Sequence, residues 1–219
     1  MQTESMREVL KKSHIIGQHC QRNYDLDQPM PQEDIDVIIH AATQCPSKQN
    51  LDFYSVIAIQ DRQTIEKIYN VTETARGRKN PQVLGHVLLV FVSNPEVVTN
   101  PGKENNKSPS RNTEVRNVYE NYGADDQLMM NIREDMHQAV GVAAGYVNLS
   151  ASMLGYRSGC NKCFDMKSVK EILSLDKSED VILMMGVGIK DDDRPRREEH
   201  VTGQIIDSFK KLPIKVKHI

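Results

Sequence analysis

With 219 residues the chain is long enough for one large domain with a sizeable core, yet only 38% of it is hydrophobic and it contains no tryptophan. A net charge of −2, with acids and bases mixed along the sequence, excludes the basic surface that nucleic acid or an anionic membrane demands. No apolar run reaches the ~18 residues of a membrane span, Glu4, Arg7 and Glu8 stand where a signal peptide needs an apolar core, and four cysteines make no disulfide framework, so a cytoplasmic protein with reduced thiols is expected.

The first predicted element is a short helix with Met6, Val9, Leu10 and Ser13 on one face. The segment from Gln18 to Tyr24 is polar and reads as an exposed strand or loop. Beyond Pro31, the spacing of Ile35, Ile38, Ile39 and Ala42 predicts an amphipathic helix that stops before Cys45-Pro46, leaving Pro46-Ser47-Lys48-Gln49-Asn50 as its exit loop. Phe53 to Ile59 reads as a strand covered on both faces, Thr64 to Tyr69 as a short helix, and Val87 to Val92 as a second, fully buried strand. Residues 93–124 change character, with seven Asn, three Pro and two Gly, and are expected to form a polar, lid-like excursion.

The chain is organised around a long helix after this excursion. Leu128, Ile132, Met136, Ala139, Val140, Ala143, Val147, Ala151 and Leu154 recur every three or four residues, which predicts one helix roughly 43 Å long, ended by Gly155 in the left-handed conformation that a residue without Cβ adopts cheaply. Gly141 and Gly145 are small enough to let another backbone approach it. Tyr156 to Asp165 then reads as an irregular polar loop, with a further helix starting at Asp165 as N-cap and burying Val169, Ile172 and Leu173. Val181 to Ile189 is the third buried strand, and the tail 201–219 alternates weakly and needs something to lie on. No repeat or linker divides the chain, so 1–219 is taken as a single domain.

Three loops share one property: Gln18 to Arg22, Pro46 to Asn50 and Arg194 to Arg196 offer cations or amide donors without bulky apolar groups. Together they could hold a phosphate, Arg by forked donors and Ser, Asn and Gln by neutral ones; singly, each cation is equally a solvated surface charge. The Cys160-x-x-Cys163 pair admits three readings. Zinc would need further ligands, for which His19-Cys20 is the other close pair; a thioredoxin-like dithiol would follow a strand rather than a helix's glycine cap; plain packing thiols are the third. His40 and His137 are taken as ordinary helix residues, and the methionines of the long helix as filler.

The order of these pieces carries a resemblance. A cationic leading segment, a helix, Cys45-Pro46-Ser47-Lys48-Gln49-Asn50-Leu51 before an aromatic strand, a long helix ending Leu154-Gly155, then Phe164-Asp165, a Gly-bearing strand and Arg194-Pro195-Arg196 together resemble the nitroreductase family of FMN-dependent oxidoreductases. The resemblance implies an α+β fold with a central antiparallel sheet flanked by helices and an intertwined homodimer around the long central helix with FMN at its interface; the tail 201–219 lies outside the resemblance and could lie on this chain or embrace a partner.

Carried over residue by residue, it places Gln18, His19, Cys20 and Arg22 at the FMN phosphate and ribityl chain, with Gln18 and Cys20 standing where the family has Arg and Ser. It places Pro46, Ser47, Lys48 and Asn50 near the isoalloxazine ring, Cys160, Asn161, Lys162 and Cys163 along the reactive flavin edge, and Arg194 and Arg196 at the phosphate. Tyr119 and Tyr122, in the excursion, would wall the acceptor pocket. No side chain is implied as catalytic and no metal is implied: NAD(P)H would pass hydride to flavin N5, and a nitroaromatic, quinone or similar small acceptor would then take the electrons. The alternatives on the same fold are a non-catalytic flavin-binding or FMN-less protein, or a dehalogenase or flavin-modifying relative.

Overall fold

The computed structural model describes residues 5–72, 79–95, 126–191 and 214–218. The elements in chain order are α1 (Met6–Ile16), α2 (Gln32–Thr43), β1 (Tyr54–Ile59), α3 (Arg62–Asn70), β2 (Val87–Ser93), α4 (Asp126–Met153), β3 (Arg157–Asn161), α5 (Met166–Leu173) and β4 (Val181–Gly188). Single 3-10 turns fall at Lys48–Asn50 and Pro81–Val83. The four strands form one wholly antiparallel sheet in the order β1-β2-β4-β3.

The central strand β2 explains how the core divides. Every residue from Val87 to Ser93 is buried, and because successive side chains point to opposite faces the strand feeds two cores. Val87, Leu89 and Phe91 join Ile38, Met136, Val140 and Val147 under α2 and α4, whereas Leu88, Val90 and Val92 join Ile65, Ile68 and Val169 under α3 and α5. Each such fully buried side chain contributes ~1.5–3 kcal/mol.

α4 spans 28 residues. Its end is a Schellman motif: Gly155 takes φ +90°, its N–H donates to Ser152 O at 3.2 Å, and the Tyr156 N–H donates to Ala151 O at 2.8 Å. Asp165 caps α5 as read from the sequence, its side chain accepting from the Ser168 N–H at 2.8 Å. No helix among the described residues is long and apolar enough to cross a membrane.

Four expectations need correction. Residues 157–161 are not irregular but form β3, a fourth strand; no β-branched run announces it, and it exists because Gly159 and Gly186, facing each other in the ladder, admit the backbones packed on them. β1 is an edge strand with Ser55 and Ala58 exposed, so it is not covered on both faces. Leu154 lies beyond the helix end and is 40% exposed. The segment 18–24 is not wholly exposed, since Gln21 and Tyr24 are buried. Apart from 93–95 the polar excursion lies outside the described residues, as do 201–213 of the tail; Ile214 and Val216 are exposed.

A feature that the core-facing periodicity hides is a second apolar stripe on α4. Val142, Tyr146 and Met153 are exposed, and Cβ atoms added at Gly141 and Gly145 would meet nothing within 4 Å. Val142, Tyr146 and Met153 succeed one another at intervals of four and seven residues, hence along one side of the helix.

Candidate functional site

The leading segment after α1 lies across the ends of β3 and β4. The Gln21 N–H donates to Ser158 O at 2.8 Å, Tyr24 forms an antiparallel bridge with Lys190, and the Asp25 N–H donates to Ile189 O at 3.0 Å. Tyr24 reaches beneath the sheet, its hydroxyl directed at the carbonyls of Gln82 and Gly186, each at 3.1 Å. Burial raises the Tyr24 phenol well above its ordinary value, and the neighbouring thiols of Cys20 and Cys160 add to the shift. Asn148 of α4 ties the arrangement to the rod: its amide donates to Gly17 O at 3.0 Å while its carbonyl accepts from the Ser158 hydroxyl at 2.7 Å.

Several predicted site residues meet here. The Cys20 thiol lies 3.9 Å from the carbonyl oxygen of Cys160, and Arg22 donates from Nη1 to Cys20 O at 3.2 Å. Gln18 is exposed and His19 half-buried. Burial, helped by Cys20, pushes the Cys160 thiol up to about 12. Asn161 is buried, its side chain accepting from the Cys163 N–H at 2.9 Å and donating to the Cys163 carbonyl at 3.3 Å. Lys162 and Cys163 are exposed. Lys162 sits near enough to His137 on α4 to assist burial in lowering that imidazole.

The loop after α2 stands elsewhere. Lys48 pairs with Asp135 of α4 at 2.5 Å, the Ser47 hydroxyl donates to Leu51 O at 2.8 Å, and Asn50 turns the chain with φ +53°. Pro46 is exposed. Tyr54 donates to Ala42 O at 2.8 Å and accepts from the Cys45 thiol at 2.8 Å; burial and that thiol raise the phenol. A cavity of about 220 Å³ opens beside them, lined by Cys45, Ser47, Asp52, Tyr54 and Val56 among others.

Asp135, which holds this loop, and Asn148, which holds the leading segment, are separated along α4 by ~20 Å at 1.5 Å per residue. The leading segment meets β3 at Ser158, beside Asn148, while β3 runs back along α4 so that Lys162 lies near His137, two residues from Asp135. Arg194, Arg196, Tyr119 and Tyr122 lie outside the described residues. Sequence reasoning missed Tyr24, Asn148 and Asp135. Asn148 had a signal, a polar residue beside the apolar face of the rod; Tyr24 and Asp135 had none.

The nitroreductase family model matches residues 15–189. The chain belongs to the nitroreductase family. Protein DrgA of Synechocystis is 24% identical over 199 residues, covering 87% of this chain and 90% of that protein. Among solved structures, a complex with FMN from Exiguobacterium sibiricum 255-15 is similar at a TM-score of 0.66 and 15% identity, covering 98% of this chain and 95% of the other. A nitroreductase family protein from Streptococcus pneumoniae TIGR4 is similar at 0.65 and 16% identity, covering 95% and 96%. At such identities the structures establish the nitroreductase-like α+β fold.

The donor set of this nitroreductase-family chain suits a flavin mononucleotide in kind. Arg22 offers charge-assisted donors for a phosphate and His19 a ring nitrogen, while Lys162, Lys48 and Asn50 add polar groups toward the Asp135 end of α4. Cationic and amide donors of this kind match an anionic organic cofactor.

Proposed function

We propose that this protein is an FMN-dependent oxidoreductase working as a homodimer, taking electrons from NAD(P)H and giving them to a nitroaromatic, quinone or similar small acceptor. The observation that carries this reading is the exposed second apolar stripe of α4, a rod to which the leading segment is tied at Asn148 and the 46–50 loop at Asp135, ~20 Å apart at 1.5 Å per residue. A second copy packed on that stripe would bring the 46–50 loop of one chain to the 18–22 segment of the other. The small residues Gly141 and Gly145 would let the two rods approach closely. Ile214 and Val216 alternate with Lys215 and Lys217, which suits a tail lying along the partner.

When bound, FMN supplies the two-electron chemistry, accepting hydride at N5 and returning it to an acceptor. The chain's own residues bind and orient. Arg22 and His19, with Arg194, Arg196 and Gln18, would meet the phosphate, and Cys20 would face the ribityl chain. Pro46, Ser47, Lys48 and Asn50 would border the ring. Asn161 holds the turn at Cys163 rigid, which keeps the backbone of 160–163 in place to donate a hydrogen bond, and the Lys162 ammonium would stabilise negative charge on that side. Tyr119 and Tyr122, in the excursion, would select the acceptor. The similarity to a solved FMN complex supports the cofactor.

The test is steady-state NAD(P)H oxidation with a panel of nitroaromatic and quinone acceptors, for the full chain and for a variant lacking 100–118. Turnover that alternates donor and acceptor at one site, with acceptor preference altered by the deletion, is expected. FMN binding without turnover would leave the non-catalytic alternative, and an unchanged preference would remove the pocket-wall role of Tyr119 and Tyr122.

A further inference from the structure

Of the four thiols, none of which is joined in a disulfide, the two spaced as a redox motif differ in their surroundings. Cys163 is exposed, with its N–H fixed by Asn161 at 2.9 Å and its carbonyl accepting from the side-chain amides of Asn161 and Asn80, both at 3.3 Å. Cys160 is half-buried and packs against the core beneath α2 and α4. The thiol that meets Cys160 comes from 140 residues away: Cys20, whose sulfur lies 3.9 Å from the Cys160 carbonyl oxygen.

The backbone that carries Cys20 is locked at that place. Its neighbour Gln21 donates to Ser158 O at 2.8 Å, and Gly159, having no Cβ, leaves room for the Gln21 carbonyl oxygen, which lies 2.3 Å from where a Cβ would be. The two thiols are also near enough for Cys20 to help burial raise Cys160. Both cysteines are half-buried, reachable by a small oxidant and poorly reachable by a large one.

We propose that Cys20 and Cys160 are a redox pair that forms a reversible disulfide under peroxide, pinning the leading segment onto β3. The Cys20 thiolate attacks one oxygen of hydrogen peroxide, breaking the O–O bond and leaving a sulfenic acid and, after proton uptake, water. The Cys160 sulfur then attacks the Cys20 sulfur, the S–O bond breaks, and the Cys160 proton leaves with the departing hydroxide as a second water. Two thiols lose two electrons in all and one peroxide gains them; a dithiol reductant reverses the change.

Trypsin separates the possibilities, because Arg157 and Lys162 isolate Cys160 in peptide 158–162, Cys163 in 163–167 and Cys20 in 13–22. The full-length protein as purified is treated with equimolar hydrogen peroxide, quenched with N-ethylmaleimide, digested and analysed by mass spectrometry. The expected product is 13–22 linked to 158–162 as the main disulfide, with Cys163 alkylated and the link lost on dithiothreitol. Cys163→Ser should retain the link, and Cys160→Ser should leave Cys20 as a sulfenic acid that dimedone traps. A link between 158–162 and 163–167, links only between chains, or alkylation of both Cys20 and Cys160 after peroxide would overturn the proposal.

Discussion

Gly186 is a glycine for want of room: a Cβ there would lie 2.1 Å from the carbonyl oxygen of Gln82, which is backbone and cannot swing aside. Gly186→Ala should therefore force the 81–83 turn off the sheet, at ~2 kcal/mol or more, and lower Tm by at least ~4 °C; a melting curve superimposable on the parent's would contradict this packing. A second prediction at this scale concerns pH. Burial lifts the Cys160 thiol to about 12 from an ordinary 9.0, so the folded chain keeps a proton that the unfolded chain gives up. Its contribution is complete below pH 9 and is lost as pH rises toward 12, and the phenol of Tyr156, lifted to about 12 from 10.0 first by burial and then by its bond to Asp34, acts in the same direction. Urea midpoints should fall between about pH 8 and pH 11, and less steeply in Cys160→Ser; a midpoint that is flat across that range would contradict it. The sequence could announce the glycines as permissive but not what backbone each one admits, since that depends on chain more than 80 residues away.

Among the elements, those with a periodic or capped signature were legible. β2 was a continuous apolar run because both of its faces meet core, and α5 began at Asp165 because that carboxylate can accept from the Ser168 N–H. β3 was not legible: Arg157-Ser158-Gly159-Cys160-Asn161 has no β-branched or aromatic residue, and its strand character comes from pairing with β4 and from the close packing that Gly159 and Gly186 admit. β1 looked like a covered strand because its composition is apolar, and only the sheet order puts it at an edge. The end of α4 was readable and can be tested. Gly155 sits at φ +90°, so Gly155→Ala strains the Schellman turn and should cost ~1–2 kcal/mol, a fall of ~2–8 °C in Tm, whereas Gly141→Ala, in an ordinary helical position with open space at its Cβ, should not destabilise the single chain. Equal effects from the two substitutions would contradict the assignment.

For the whole molecule, the family-like order of motifs along the chain was what the sequence showed most clearly, and the nitroreductase family match bears it out. What it hid was where the predicted site residues lie along α4. The donors that looked like one cluster in sequence occupy two places on α4, one tied to Asn148 and one to Asp135, because the distance between loops is set by the helix that both touch. The exposed stripe of Val142, Tyr146 and Met153 was hidden too, since a periodicity count reports the core-facing side first. If a second copy covers that stripe and completes the site, Tyr146→Glu should yield monomers by sedimentation and lose FMN together with the dimer; monomers that keep FMN at parental affinity would place the whole site in one chain. The most direct measurement is the visible absorption spectrum of the purified protein after incubation with FMN and gel filtration, and again once NADH or NADPH is added without oxygen. The proposed function predicts the bands of oxidised flavin travelling with the protein and bleaching on addition of the nicotinamide, and a colourless protein that retains no FMN would contradict it.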